Sequence, residues 1–222
     1  MAGVVKRMEE IATSLSAADG VARFNDLYLA VTREVGAETR AETFEDPDFL
    51  SRLDVVFADL YFAAVDADVR GVGAGRAWAP LFEARARRGI APIQYALAGM
   101  NAHINHDLAL ALLEAFHDVR GGPRRGSAQH RDYLRVNAIL ERVEERVKAR
   151  FATGLIGVAD EALGRLDDVV AMWKVARARD SAWTYAETLW AIRDRREHRD
   201  ALVGALGRMV GLAGRGLLAR VL

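Results

Sequence analysis

The sequence predicts an all-α fold, a single helical domain over 1–222 built as a bundle-like array of eight or nine helices. Three observations carry this. Apolar residues recur at intervals of three and four along most of the chain. Runs with period-two alternation are short and rare. Hydrophobic residues make up 51% of the 222 positions, enough to bury a sizeable core.

Met8, Ile11 and Leu15 mark a first helix, and Phe24, Leu27, Tyr28, Val31 and Val35 a second that ends near Gly36. Asp46-Pro47 reads as a helix start, with an acceptor side chain at the N-cap and a proline where no N–H is needed. Phe49, Leu53, Val56, Phe57, Leu60 and Tyr61 form the apolar side of the helix that follows. Residues 69–76, VRGVGAGR, interrupt the pattern. Their glycines resemble a phosphate-binding loop, but that fingerprint needs a strand before it, and the preceding segment reads as helix. A flexible connector is expected. A short helix around Trp78 and Phe82 ends among Arg85, Arg87 and Arg88, with Gly89 as the stop. Ala91-Pro92 opens a long helix to about Asp118. The basic loop 120–127 comes next, and Ser127 is placed to cap a helix whose seam is Tyr133, Val136, Leu140, Val143, Val147 and Phe151. After Gly154 a short helical stretch is expected, then a long helix from about Leu166 to Arg193 and a last one over 199–221.

Lys plus Arg number 31, as do Asp plus Glu, so no global charge pulls the chain toward nucleic acid or an anionic membrane. The absence of cysteine excludes disulfides, thiolate zinc sites and a cysteine nucleophile. The opening stretch MAGVVKRMEEIATSL carries charges through its apolar positions, unlike a signal peptide. No uncharged apolar run reaches the roughly 18 residues of a membrane-spanning helix. A cytoplasmic protein without a transmembrane segment is the expectation.

The segment GMNAHINHDLALALL holds the sharpest candidate site. On a helix of about 100° per residue, His103, His106 and Asp107 fall within an arc of about 100°. Asn101 and Asn105 lie together on the opposite side. Ile93, Leu97, Met100, Ile104 and Leu108 form an apolar row beside Asp107, so the polar band is expected in the interior. There each unpaired polar group costs about 1–3 kcal/mol. Three functional readings are open. His103, His106 and Asp107 suit a divalent metal by donor type, although the spacing is not that of HExxH. A histidine oriented by Asp107 suits proton transfer. The same groups, with Asn101 and Asn105, suit ligand binding alone. The plain alternative is a set of buried hydrogen bonds between helices.

A second stripe, Trp173, Arg177, Asp180, Trp183, Glu187 and Trp190, recurs at three- and four-residue intervals on one helical face. Arg177 and Asp180 are spaced to pair, and the tryptophans suit a cavity wall with Arg177 as an anion-binding fork. Tryptophans anchoring a core beside ion pairs fit the same pattern. Arg120, Arg124, Arg125, Arg131 and Arg135 surround the loop at 120–127 as a solvated basic cluster. His117 and His130, on either side of that loop, and His198 are expected at the surface. Gly207 and Gly211 in the last helix permit close packing, onto the same domain or, with arginines unbalanced by acids after Asp200, onto a membrane surface or a second copy.

Four segments carry a resemblance: FNDLYLAVT at 24–32, LDVVFADLYF at 53–62, GMNAHINHDL at 99–108 and DDVVAMWKVARARDSAWTYAETLW at 167–190. They resemble an actinobacterial family of about this length, known only as a domain of unknown function. The resemblance spans nearly the whole chain, and the His-Ile-Asn-His-Asp block is its most distinctive part. It implies an all-helical fold and an actinobacterial source, and brings no activity or catalytic residue.

The expected function is that of an enzyme acting on a small, partly apolar metabolite between helices, by hydrolysis, elimination or cyclisation. His103 or His106 would move a proton and Asp107 would orient it. Arg177 would hold an anionic group, and Asn101, Asn105, Asp180, Trp183 and Glu187 would contact the ligand. A metal-dependent hydrolase using His103, His106 and Asp107 as ligands is a variant, and beyond that divalent metal the sequence names no cofactor. The alternative from another class is a non-catalytic ligand-binding or protein-interaction module whose polar band is structural. The expected partner is a small molecule rather than nucleic acid, and the expected state a monomer or homodimer.

Overall fold

A computed structural model describes residues 2–38, 43–117, 119, 121–153 and 175–220, the side chains of 143–153 excepted. Among these residues there are eight helices and no strand. They are α1 (Ala2–Ser14), α2 (Gly20–Glu38), α3 (Pro47–Val69), α4 (Ala79–Ala84), a long α5, α6 (Ala128–Thr153), α7 (Val175–Ala191) and α8 (Arg196–Leu217). Helix α5 has three parts: α-helical Pro92–Ala102, a π-helical turn His103–Asp107, and α-helical Leu108–Ala115. The expected short stretch after Gly154, the first part of the helix drawn from Leu166, Trp173, Asp118 and Arg120 lie outside the described residues.

Helix α5 is the axis of the array. Its first part packs on α2 and α8, its last part on α3 and α7, while α1 covers α2 and α6 lies against α2 and α7. The approach of α2 to α5 is close because Gly99 has no side chain: a Cβ there would stand 2.3 Å from the Phe24 ring. Apolar burial on nearly every side of α5 explains why its sequence carries no charge from Ile93 to Asn105.

Local signals place the ends. The Asp46 carboxylate accepts from Phe49 N at 3.0 Å and caps α3, with Pro47 in the first turn. Ser127 Oγ accepts from His130 N at 3.2 Å at the start of α6. Gln94 joins two ends: its Oε1 accepts from Ala91 N, and its Nε2 donates to Leu217 O and Ala219 O at the end of α8. The connector after α3 turns through Gly71, Gly73 and Gly75 at φ 72°, 82° and 81°, with a helix rather than a strand before it.

Gly207 and Gly211 of α8 face their own chain. A Cβ on Gly211 would stand 2.4 Å from Arg76 O, and one on Gly207 would meet the His106 ring at 3.5 Å. Among the described residues no helix is long and apolar enough to cross a membrane.

Candidate functional site

The His103 segment departs from the regular helix that the sequence predicts. Leu108 N donates to His103 O, a five-residue hydrogen bond that widens the helix by one residue. Such turns inside α-helices often mark functional segments. Within it, Asp107 collects three donors. Trp78 Nε1 donates to Oδ2 at 2.9 Å, His103 Nδ1 contacts the same oxygen at 3.2 Å, and His106 Nδ1 contacts Oδ1 at 2.8 Å. His103 and Asp107 are each 2% exposed, whereas the His106 side chain is 17% exposed.

Charge states follow from these contacts. Burial pushes the Asp107 carboxyl up, but the hydrogen bonds from His103 and His106 outweigh it, so it lies below the ordinary aspartate range. Burial holds His103 below the ordinary histidine range, against the pull of Asp107. An ionised Asp107 only accepts, so His103 Nδ1 carries the proton of the shared bond and the neutral ring keeps a bare lone pair on Nε2.

That imidazole sits among aromatic rings from two helices, α2 and α3, and the segment before α4. Phe57 lies flat on it, with centroids 3.6 Å apart and 6° between planes. Tyr28 meets it edge-on at 4.6 Å, and Phe24, Trp78 and Tyr61 stand within 6.2 Å. Tyr61 Oη donates to Asn25 Oδ1 at 3.2 Å. Two buried side-chain polar atoms among the described residues have no hydrogen-bond partner: His103 Nε2 and Tyr28 Oη. Buried polar groups are almost always paired, so two orphans on adjoining rings require a reason.

The family model for DUF5995, a family of unknown function, matches residues 1–220. The chain belongs to this family. No curated protein matches it, and no solved structure does.

The other candidate residues of this DUF5995 chain divide into two groups. Asn101 and Asn105 join each other and α8: Asn105 Nδ2 donates to Asn101 Oδ1 at 3.1 Å, and Asn101 Nδ2 donates to Val210 O at 2.9 Å. They tie helices, and among the described residues no hydrogen bond joins them to the His103 ring cluster. The α7 stripe lies elsewhere. Trp183 is fully buried against Phe116, His130 and Tyr133, and its Nε1 donates to Glu187 at 3.2 Å. Helix α7 packs on the π turn. Even so, among the described residues no ring belongs to both the His103 and the Trp183 sets.

The expected Arg177–Asp180 pair is replaced. Asp180 pairs with Arg125 at 2.9 Å, because Arg125 reaches across from the loop before α6 and bonds Asp180, Thr184 and Glu187 together. Arg177 is exposed, and the buried arginine of α7 is Arg179, over the Tyr133 ring at 4.0 Å and hydrogen-bonded to Asn137. The basic cluster is likewise engaged: Arg131 and Arg135 both pair with Glu45. Among the described residues no group of three or more His, Asp or Glu side chains is placed to hold a metal ion.

His117 and His198 are exposed, but His130 is not: it is 8% exposed, and its Nδ1 accepts from Gly126 N at 3.1 Å. The basic residues around the loop masked its place on the seam three residues before Tyr133. The same run holds a second buried polar residue, Asp132. It is fully buried and accepts from Glu45 N and Asp46 N, holding the start of α3. Its signal was only an acid on the apolar side of α6, beside Tyr133. Tyr28, Phe57 and Trp78 were legible as core, yet nothing in their spacing announced that they converge on His103.

Proposed function

We propose that this DUF5995 protein is an enzyme acting on a small, partly apolar molecule, with His103 as general base. Asp107 orients that base and Tyr28 is its hydrogen-bonding companion. The observation that carries the reading is the bare Nε2 of His103, buried without a partner while Nδ1 is held by an ionised carboxylate. A base oriented by a third group through its other nitrogen is the arrangement that general-base chemistry needs. The aromatic faces around the ring favour the imidazolium that forms when the base takes a proton. His106 bonds the second oxygen of Asp107 and is a positioning residue in this reading. Hydrolysis, elimination and cyclisation all use such a base. Arg177 has no part in it. A cytoplasmic setting and an actinobacterial source belong to the same reading.

A second reading rests on a different observation: Phe57 lies flat on His103, and the Trp78–Asp107 bond ties the loop before α4 to α5. On that basis the cluster is a joint between helices, and the protein is a binding or interaction module. Incubation of the purified full chain with a metabolite extract, followed by mass spectrometry, separates the two. The enzyme reading expects one compound to be consumed by the wild type and not by a folded His103→Gln variant. Identical profiles for the two proteins favour the joint.

A further inference from the structure

The two orphaned atoms have complementary characters. His103 Nε2 offers a lone pair, and Tyr28 Oη offers a proton. Their rings are in edge-on contact, with centroids 4.6 Å apart. Phe24, Phe57, Tyr61 and Trp78 supply flat apolar walls around them. Burial first, and then the carboxyl groups of Asp54, Asp107 and Asp59, hold the Tyr28 hydroxyl well above the ordinary tyrosine range, so it stays protonated. An anionic ligand would face that field unfavourably, and Arg177, the cation the sequence offered for one, is exposed on α7.

We propose that the cage binds an uncharged planar amide, a lactam or imide in particular. Its N–H donates to His103 Nε2 and its carbonyl accepts from Tyr28 Oη. This rests on the reading of His103 as the working base and names the substrate class for it. An amide unit carries a donor and an acceptor on one flat, uncharged frame, which matches both orphans at once. Its faces are free to lie against aromatic rings. A carboxylate of the same size lacks the donor and adds the charge. Phe57, itself partly exposed, lies parallel to the imidazole and covers one face of it.

The test titrates the full chain with 2-pyridone, an uncharged lactam, and with benzoate, an anion of similar size. The readouts are the His103 Nε2 resonance, by imidazole nitrogen NMR, and the melting temperature. The proposal expects 2-pyridone to move the resonance and raise the melting temperature, with benzoate doing neither. It also expects Tyr28→Phe to raise the melting temperature of the free protein, because an unmatched buried hydroxyl is removed. The same change weakens 2-pyridone binding about tenfold, the value of one hydrogen bond. Binding of benzoate with a shifted His103 resonance overturns the amide class and leaves the site standing. A resonance that neither probe moves, with a lower melting temperature for Tyr28→Phe, means that both atoms are matched by water alone. That result overturns the proposal and the base reading together.

Discussion

The chain holds two aromatic clusters, each with a buried histidine, and they differ in how completely their polar atoms are matched. Around Trp183 no buried polar atom is left without a partner among the described residues. The indole donates to Glu187, Tyr133 Oη donates to Arg179 O at 2.8 Å, and His130 Nδ1 accepts from Gly126 N. Around His103 the same kinds of ring are used, and Trp78 and Tyr61 are matched, but Nε2 of His103 and Oη of Tyr28 are not. Apolar burial is comparable in both, so packing alone does not distinguish a joint from a site. The difference lies in two missing hydrogen bonds, each worth about 1–3 kcal/mol of lost stability when a buried group goes without. A fold that has a fully matched cluster of similar composition shows that the unmatched one is not forced on it by the materials.

The sharpest way to break this comparison is to damage the matched cluster. Trp183→Ala removes a fully buried indole and is expected to lower the unfolding free energy by about 3–5 kcal/mol in urea titrations. The His103 resonances should stay in place, and their displacement would mean that the two clusters are one unit. Phe57→Ala comes next, at about 2–3 kcal/mol, below the range for a fully buried ring because Phe57 is partly exposed. It should make His103 reactive toward diethyl pyrocarbonate, and an imidazole that stays protected would show that other side chains seal it. The smallest effect is that of pH. Burial depresses His130, with help from Arg125, and burial depresses His103 against Asp107. Both rings are therefore neutral when folded and take up a proton more readily when unfolded. Their contribution to stability is fully present above the unfolded value of about 6.5 and is lost as pH falls below it toward the folded values. Urea titrations below about pH 6.5 should give a shallower pH slope for His103→Gln and for His130→Gln than for the wild type. An unchanged slope in either variant removes that histidine from the account.

The sequence carried the local features well, because they depend on a few adjacent residues. Asp46-Pro47, Ser127 and Ala91-Pro92 mark helix starts through capping chemistry that acts within one turn. The conjunction of His103, His106 and Asp107 was also readable, since helical spacing alone brings them together. What could not be read depends on which helix meets which. The Trp78–Asp107 bond spans 29 residues, and Arg125 reaches Asp180 across 55. Spacing favoured Arg177 for that pairing, but a long side chain from a neighbouring loop made three bonds where Arg177 offered one. His130 was placed at the surface on the strength of its basic neighbours, whereas three-residue spacing to Tyr133 puts it on the inner seam. The π turn was invisible for another reason. Its sequence is compatible with an ordinary helix, and only the packing on both sides of α5 selects the wider form.

A helix that contains a π turn holds one residue more than a regular helix of the same facing. The wider turn forgoes about the 100° of rotation that the extra residue would add. Deleting a single residue between His103 and Asp107 would restore an ordinary helix and leave Leu112 and Phe116, both fully buried, facing as they do now. Forcing the present length into regular turns would instead swivel both by about 100°. The last part of α5 therefore tolerates a shorter span here better than a narrower one.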